Sequence, residues 1–171
     1  NGNKLYRVVS WKGDDLFNVL SQKGYCPTAE EYQDHVGSLF KIQDGLRENG
    51  YLDADIKSEN LTKDPFGKLH VVDFDGLFKL GQTPSKDGFV FTRQYLAPES
   101  RRGKEHTKAS VMWQFGLLLC DLVGVNLETK DLLLSKEREG LFFCVETQLK
   151  KVFANDTVMV NKCMVMIEGC L

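Results

Sequence analysis

The sequence lacks a surplus of charge of either sign: its formal net charge is −2. A phosphate backbone is bound through clustered Lys and Arg, so a chain without basic excess argues against nucleic acid as a ligand. Long apolar runs are also missing. None approaches the roughly 20 residues that span a bilayer, and Asn1 to Tyr6 has neither the charged start nor the apolar stretch of a signal peptide. No transmembrane segment is expected. The cysteines Cys26, Cys120, Cys144, Cys163 and Cys170 form no C-x-x-C pair and have no histidine at metal-ligand spacing, which argues against zinc. Thiols that pack as small hydrophobes fit better, with a disulfide left open. Internal repeats, low-complexity stretches and linkers are absent as well. With 42% apolar residues, the 171-residue chain is expected to form one domain with its own core.

What is present alternates clear elements with turn signals. Leu5-Tyr6-Arg7-Val8-Val9 reads as a short strand, Trp11 to Asp15 as a turn and Leu16 to Leu20 as a short helix stopped by Gly24. Thr28-Ala29-Glu30-Glu31 has capping-box spacing, and Tyr32, Val36, Leu39, Phe40 and Leu46 recur at helical intervals until Gly50, which predicts one long amphipathic helix. Leu61-Thr62-Lys63 and Leu69-His70-Val71-Val72 flank Asp64-Pro65-Phe66-Gly67, the pattern of a small β-hairpin. Residues 75–99 show no sustained periodicity and read as a long functional loop rather than a further element. Ala109 to Val123 is apolar on most sides, as in a helix buried nearly all round. Helices around 130–137 and 140–153 follow, then an apolar stretch from Val158 to Leu171.

The chemistry-bearing segment is Asp53-Ala54-Asp55-Ile56-Lys57-Ser58-Glu59-Asn60, between the long helix and the hairpin. It resembles the catalytic loop H-R-D-L-K-P-E-N of eukaryotic-type serine/threonine protein kinases. Val71-Val72-Asp73-Phe74-Asp75 then stands where that family carries D-F-G, and Thr92-Arg93-Gln94-Tyr95-Leu96-Ala97-Pro98-Glu99 is similar to the end of its activation segment. Trp113-Gln114-Phe115-Gly116 fits the W-x-x-G of its central buried helix. A lone D-x-x-x-x-N is weak evidence, because paired polar residues usually belong to a solvated loop. Four motifs in family order are not. His35, His70 and His106 read as ordinary core or surface residues rather than bases, and Glu59 as part structural and part substrate-facing.

The resemblance implies an α+β, mostly helical fold: a kinase-like large lobe with a short hinge strand and a small hairpin. Residues 1–13 would be the last small-lobe strand and hinge, with Val9 as gatekeeper, and 75–99 the activation segment. It implies ATP and Mg2+ as cofactors and a protein substrate or partner. Asp55 would orient the substrate hydroxyl, Lys57 would steady phosphate charge, Thr92 would contact both, and Asn60 and Asp73 would ligate the metal. Val9, Ser10, Lys12, Thr62 and Val72 would line the nucleotide. Glu99 is expected to be buried against a cation.

Departures from the pattern bear on activity. Asp53-Ala54 replaces His-Arg, removing the arginine that pairs with an activation-loop phosphate. Asp75 replaces the D-F-G glycine. Val111 stands where the central helix offers an aspartate to catalytic-loop amides, so those donors need another partner, with Ser110 as a partial substitute. Such divergence, with Asp73 to Gly81 after the hairpin, resembles the secreted rhoptry kinases and pseudokinases of apicomplexan parasites, for which the location would be a rhoptry or parasitophorous vacuole. A pseudokinase scaffold is therefore a second reading. A small-molecule phosphotransferase, whose metal motif can end in a second acid, is a third, opposed by the Thr92 to Glu99 segment.

Most of the small lobe of such a kinase would precede Asn1 in the parent chain. The 171 residues alone are therefore expected to transfer phosphate poorly, since misplacement by about 1 Å can cost on the order of 100-fold in rate. Incubation with radiolabelled ATP, magnesium and a generic serine/threonine substrate measures this, and incorporation abolished by Asp55→Ala would contradict it.

Overall fold

The computed structural model describes residues 13–22, 24–80, 92–102, 107–125 and 138–171. The expected strand at Leu5–Val9, the helix around 130–137 and His106 lie outside them, as do Val9, Ser10 and Lys12.

Helix α1 (Leu16–Leu20) follows the two-residue strand β1 (Asp14–Asp15) and is capped by the Asp15 carboxylate, which accepts from Asn18 N–H at 3.1 Å. The long helix α2 (Ala29–Glu48) begins at the capping box read from sequence: Thr28 Oγ1 accepts from Glu31 N–H, and the Glu31 carboxylate accepts from Thr28 N–H. After it, β2 (Tyr51–Asp53) leads into a short 3-10 turn (Ser58–Asn60) and the hairpin strands β3 (Leu61–Lys63) and β4 (Leu69–Val71). The second hairpin strand thus closes at Val71, two residues before Asp73.

Residues 75–99 are not free of regular structure. Strand β5 (Leu77–Lys79) lies within them, and the one-turn helix α3 (Pro98–Arg101) starts at their end. β5 pairs antiparallel with β2, Leu52 facing Phe78, while β1, β3 and β4 form a separate antiparallel sheet. Strands of three residues have no visible period, and the β2–β5 pairing joins segments far apart in sequence, so only tertiary packing defines it. The remaining helices are α4 (Lys108–Leu122), α5 (Arg138–Val152) and α6 (Thr157–Cys170). Together these elements make the mostly helical α+β architecture expected.

The core sits around α4, whose residues Val111, Phe115, Leu117, Leu118, Leu119, Cys120 and Leu122 are all buried. α2 and α6 pack on it and α5 packs on α6, together contributing Tyr32, Leu39, Leu141, Val145, Leu149, Val160 and Ile167. Phe40 of α2 meets Phe115 with ring centroids 4.9 Å apart, and Tyr32 meets Phe153 edge-on at 5.8 Å. α6 passes so close to α4 that a Cβ on Gly116 would lie 2.7 Å from Cys170 Cβ, which accounts for the glycine of the W-x-x-G motif. Leu52, Ala54, Phe78 and Val111 form a second, smaller apolar cluster. The five cysteines are free thiols, of which Cys120 and Cys163 are buried. No helix among the described residues is long and apolar enough to cross a membrane.

Phe115→Ala removes the ring at the centre of this arrangement and is expected to cost about 3–5 kcal/mol, whereas Phe115→Leu should cost less than about 1.5 kcal/mol. Urea unfolding of the two variants beside the parent measures the difference.

Candidate active site

The sequence that reads as a catalytic loop runs through the interior, not over the surface. Asp53, Ala54, Asp55 and Ile56 are buried, with Asp55 only 3% exposed. Backbone inside a fold must find partners. The Ala54 N–H donates to Gly76 O at 2.9 Å, and the Asp55 N–H donates to Asp53 Oδ1 at 2.9 Å. The Ala54 carbonyl accepts from Gln114 Nε2 of α4 at 2.8 Å. Val111 packs its apolar side chain against Leu52 and Ala54, so the amides that lack an aspartate on α4 are served by Asp53 and Gly76. Ser110 does not substitute. Its hydroxyl is engaged with Thr107 in the capping box of α4, donating to Thr107 O at 2.9 Å.

Gly76 is required by close approach. A Cβ there would lie 2.6 Å from Asp53 Oδ1 and 2.7 Å from Asp55 N, inside any tolerable contact. The residue after the D-F-D triplet is thus the small one that this loop needs.

Around Asp55 the side chains converge. Its Oδ2 accepts from Lys57 Nζ at 2.7 Å and from Asn60 Nδ2 at 3.2 Å, and Asn60 Nδ2 also donates to Asp55 O at 2.9 Å. Lys57 Nζ donates to Thr92 Oγ1 at 2.5 Å, joining residues 35 apart. Asp55 Oδ1 is buried and has no hydrogen-bond partner among the described residues. Asp73 comes alongside because the Val72 N–H donates to Asn60 O at 3.0 Å, extending the β3–β4 pairing by one step. Its Oδ1 accepts from Asp75 N–H at 3.0 Å in a local turn. Asp73 is half-buried, while Phe74 and Asp75 are exposed. Thr62 and Val72 are half-buried on the same hairpin.

The segment carrying Thr92 is anchored from below. Tyr95 is buried, donates its hydroxyl hydrogen to Asp121 Oδ2 and lies 3.4 Å from Ser58 Oγ. Burial first, and the Asp121 charge second, push its phenol far above the usual tyrosine range. Arg101 adds bonds to Leu96 O and Gln94 O, both at 3.0 Å. Glu99 is half-buried rather than enclosed, and among the described residues no cation pairs with it. It occupies the first turn of α3, where the helix N-terminus favours a carboxylate without a partner. His35 is a core residue, and His70 pairs with Asp64 at 2.9 Å.

Sequence reasoning did not single out Asp53 as an acceptor, nor Gly76, Gln114 and Asp121. For Asp53 a signal existed: an aspartate two residues before a turn amide is the spacing of a side-chain-closed turn. The others depend on contacts across long sequence separations, which carry no local signature.

Asp53 is also electrostatically expensive. Burial raises its carboxyl from 3.8 to about 6, with the charges of Asp55 and Asp73 adding to the rise and the Asp55 amide and Lys57 opposing it. A carboxyl raised on folding contributes stability below its unfolded value of 3.8, and this contribution is lost as pH climbs through about 6. Asp53→Asn is therefore expected to flatten the decline in stability between about pH 4 and 7. The gain over the parent above pH 7 should be about 1–3 kcal/mol. Thermal unfolding of parent and variant across that range measures it.

Comparison with known proteins bears on this geometry. A family model described as "Protein kinase domain" matches residues 4–171. Ribosomal protein S6 kinase alpha-2 of Homo sapiens is 32% identical over 127 residues, which is 72% of this chain and 17% of that protein. Ribosomal protein S6 kinase alpha-3 of Mus musculus is 32% identical over 123 residues, 70% of this chain and 16% of that protein. Serine/threonine-protein kinase gad8 of Schizosaccharomyces pombe is 32% identical over 123 residues, covering 70% of this chain and 21% of that protein. The matched segments make up about a fifth or less of these relatives. With the family match running along almost its whole length, the chain belongs to the protein kinase domain family.

Proposed function

We propose that the protein is an ATP- and magnesium-dependent serine/threonine kinase that transfers the γ-phosphate of ATP to a protein hydroxyl. The observation that carries this reading is the state of Asp55. One carboxylate oxygen is fixed by Lys57 and Asn60, and the other is buried without a partner among the described residues. A held carboxylate with one free oxygen suits the orientation of a hydroxyl and acceptance of its proton, and phosphoryl transfer asks chiefly for positioning and charge stabilisation. Lys57, between Asp55 and Thr92, is placed to balance charge on the transferring phosphoryl group.

The residues present also fit a magnesium–nucleotide complex. Asn60 uses its Nδ2 on Asp55, leaving its carbonyl oxygen without a hydrogen bond among the described residues, and Asp73 uses only Oδ1 locally. No cluster of three His, Cys, Asp or Glu side chains suited to a metal occurs among the described residues. Magnesium commonly needs only one or two protein ligands when phosphate oxygens and water supply the rest. Asn60 and Asp73 would hold it, and when bound it would neutralise phosphate charge. Val9, Ser10, Lys12, Thr62 and Val72 complete the proposed nucleotide lining. The domain boundaries proposed are those of a kinase large lobe over residues 1–171, with 1–13 as small-lobe strand and hinge and 75–99 as activation segment.

A pseudokinase that binds partners without catalysis is the second reading, favoured by Asp75 beside Asp73 and by Ala54 in place of the activation-loop-sensing arginine. The narrower rhoptry resemblance gains no support from the relatives named above, which are S6 kinases and a serine/threonine kinase of Schizosaccharomyces pombe.

Two measurements on the full-length protein separate these readings. Magnesium-dependent ADP binding, followed as a thermal shift, is expected in the parent and should be lost in Asp73→Ala. Phosphate transfer to a generic serine/threonine substrate is expected to fall by roughly 10²–10⁴-fold in Asp55→Ala. Magnesium-dependent binding with no transfer in the parent would favour the pseudokinase.

A further inference from the structure

The peptide plane joining Ala54 to Asp55 is gripped at both poles by side chains. Its carbonyl oxygen accepts from Gln114 Nε2 at 2.8 Å, and its N–H donates to Asp53 Oδ1 at 2.9 Å. Both side chains are 1% exposed. A peptide fixed at its oxygen and its nitrogen cannot rotate, and its plane sets the direction in which the Asp55 Cα–Cβ bond leaves the backbone. Behind it, the Ala54 N–H is bound to Gly76 O, and the missing Cβ of Gly76 is what lets Asp53 sit in contact.

We infer that Asp53 and Gln114 are positioning residues that aim the Asp55 carboxylate at the substrate hydroxyl, acting on it through the backbone and touching no substrate themselves. The inference rests on the kinase reading for what Asp55 does, but the clamp itself is read from the geometry alone.

Stability is a poor explanation for this pair. Asp53 Oδ2 and Gln114 Oε1 are both buried without a partner among the described residues. A buried carboxylate with an unsatisfied oxygen weakens a fold, and the ionised form of Asp53 is disfavoured first by burial and then by the charges of Asp55 and Asp73, more than the Asp55 amide and Lys57 offset. Groups that cost stability and persist in one geometry are typical of sites where position matters more than folding energy.

The test uses the full-length protein with Asp53→Ala, Asp53→Asn, Gln114→Met and the Asp53→Ala/Gln114→Met pair. Three quantities are read for each: kcat for a generic serine/threonine peptide, the Kd of magnesium–ADP, and exchange of the Asp55 amide hydrogen. Asp53→Ala and Gln114→Met should each lower kcat by roughly 10–100-fold, the scale of a misplacement near 1 Å, while the Kd stays within about twofold. Asp53→Asn keeps a carbonyl acceptor and should recover most of kcat, to within about threefold of the parent. The double variant should lose little more than the worse single one, because both hold the same peptide. Parent-like kcat in both single variants would overturn the inference. So would parallel losses in kcat and Kd, or an Asn variant no better than Ala. If the parent binds magnesium–ADP but transfers nothing, the kinase reading fails separately and the clamp is judged by exchange. Asp55 amide exchange at least about tenfold faster in Asp53→Ala, restored in Asp53→Asn, supports it, and unchanged exchange overturns it.

Discussion

Everything at the candidate site follows from one constraint: a loop that carries polar chemistry is threaded through the protein interior. Surface loops leave their amides and carbonyls to water, but Asp53, Ala54 and Asp55 have almost none. The chain answers from several directions at once, with a carboxylate from the loop itself, a carbonyl from the turn before β5, and an amide side chain from α4. Each donor element is in turn held by packing. α4 is packed against α2 and α6, and β5 is hydrogen-bonded to β2. α4 and the β2–β5 pair thereby determine the orientation of residues 54–57, which have no regular structure of their own.

Substitutions that looked like losses in isolation form a consistent set in three dimensions. A valine on α4 removes an acceptor and adds apolar surface, and the small apolar cluster of Leu52, Ala54 and Phe78 uses that surface. The acceptor reappears as Asp53, close enough in sequence to bond the amide two residues on. Asp75 takes the place of a glycine, yet the neighbouring Gly76 supplies the absence of a side chain where the backbone crowds the loop. Agreement among neighbouring choices is what a well-specified sequence displays.

How much of this was legible beforehand depended on range. α2 and α4 were readable because a capping box and an apolar pattern over fifteen or more residues outweigh any tertiary influence, and the β3–β4 hairpin because its turn chemistry is local. The contacts joining Asp55, Lys57, Asn60 and Thr92 could be anticipated only from motif order. β2 and β5 could not be read, being three residues each and defined only by one another. Nor could Tyr95 with Asp121, or Gln114 with Ala54, since nothing near either residue announces a distant partner. Ser110 misled because a hydroxyl near the right place was free to serve its own helix terminus instead.

The small apolar cluster beneath the loop is separate from the large one around α4, and this separation gives the molecule two scales of opening. The second cluster is held by few side chains, one three-residue strand pair and the Gln114 bond to Ala54 O, so opening it costs less free energy than unfolding the domain. Excursions of that unit would carry Ala54, Gly76 and β5 away from α4 together while the helices keep their places.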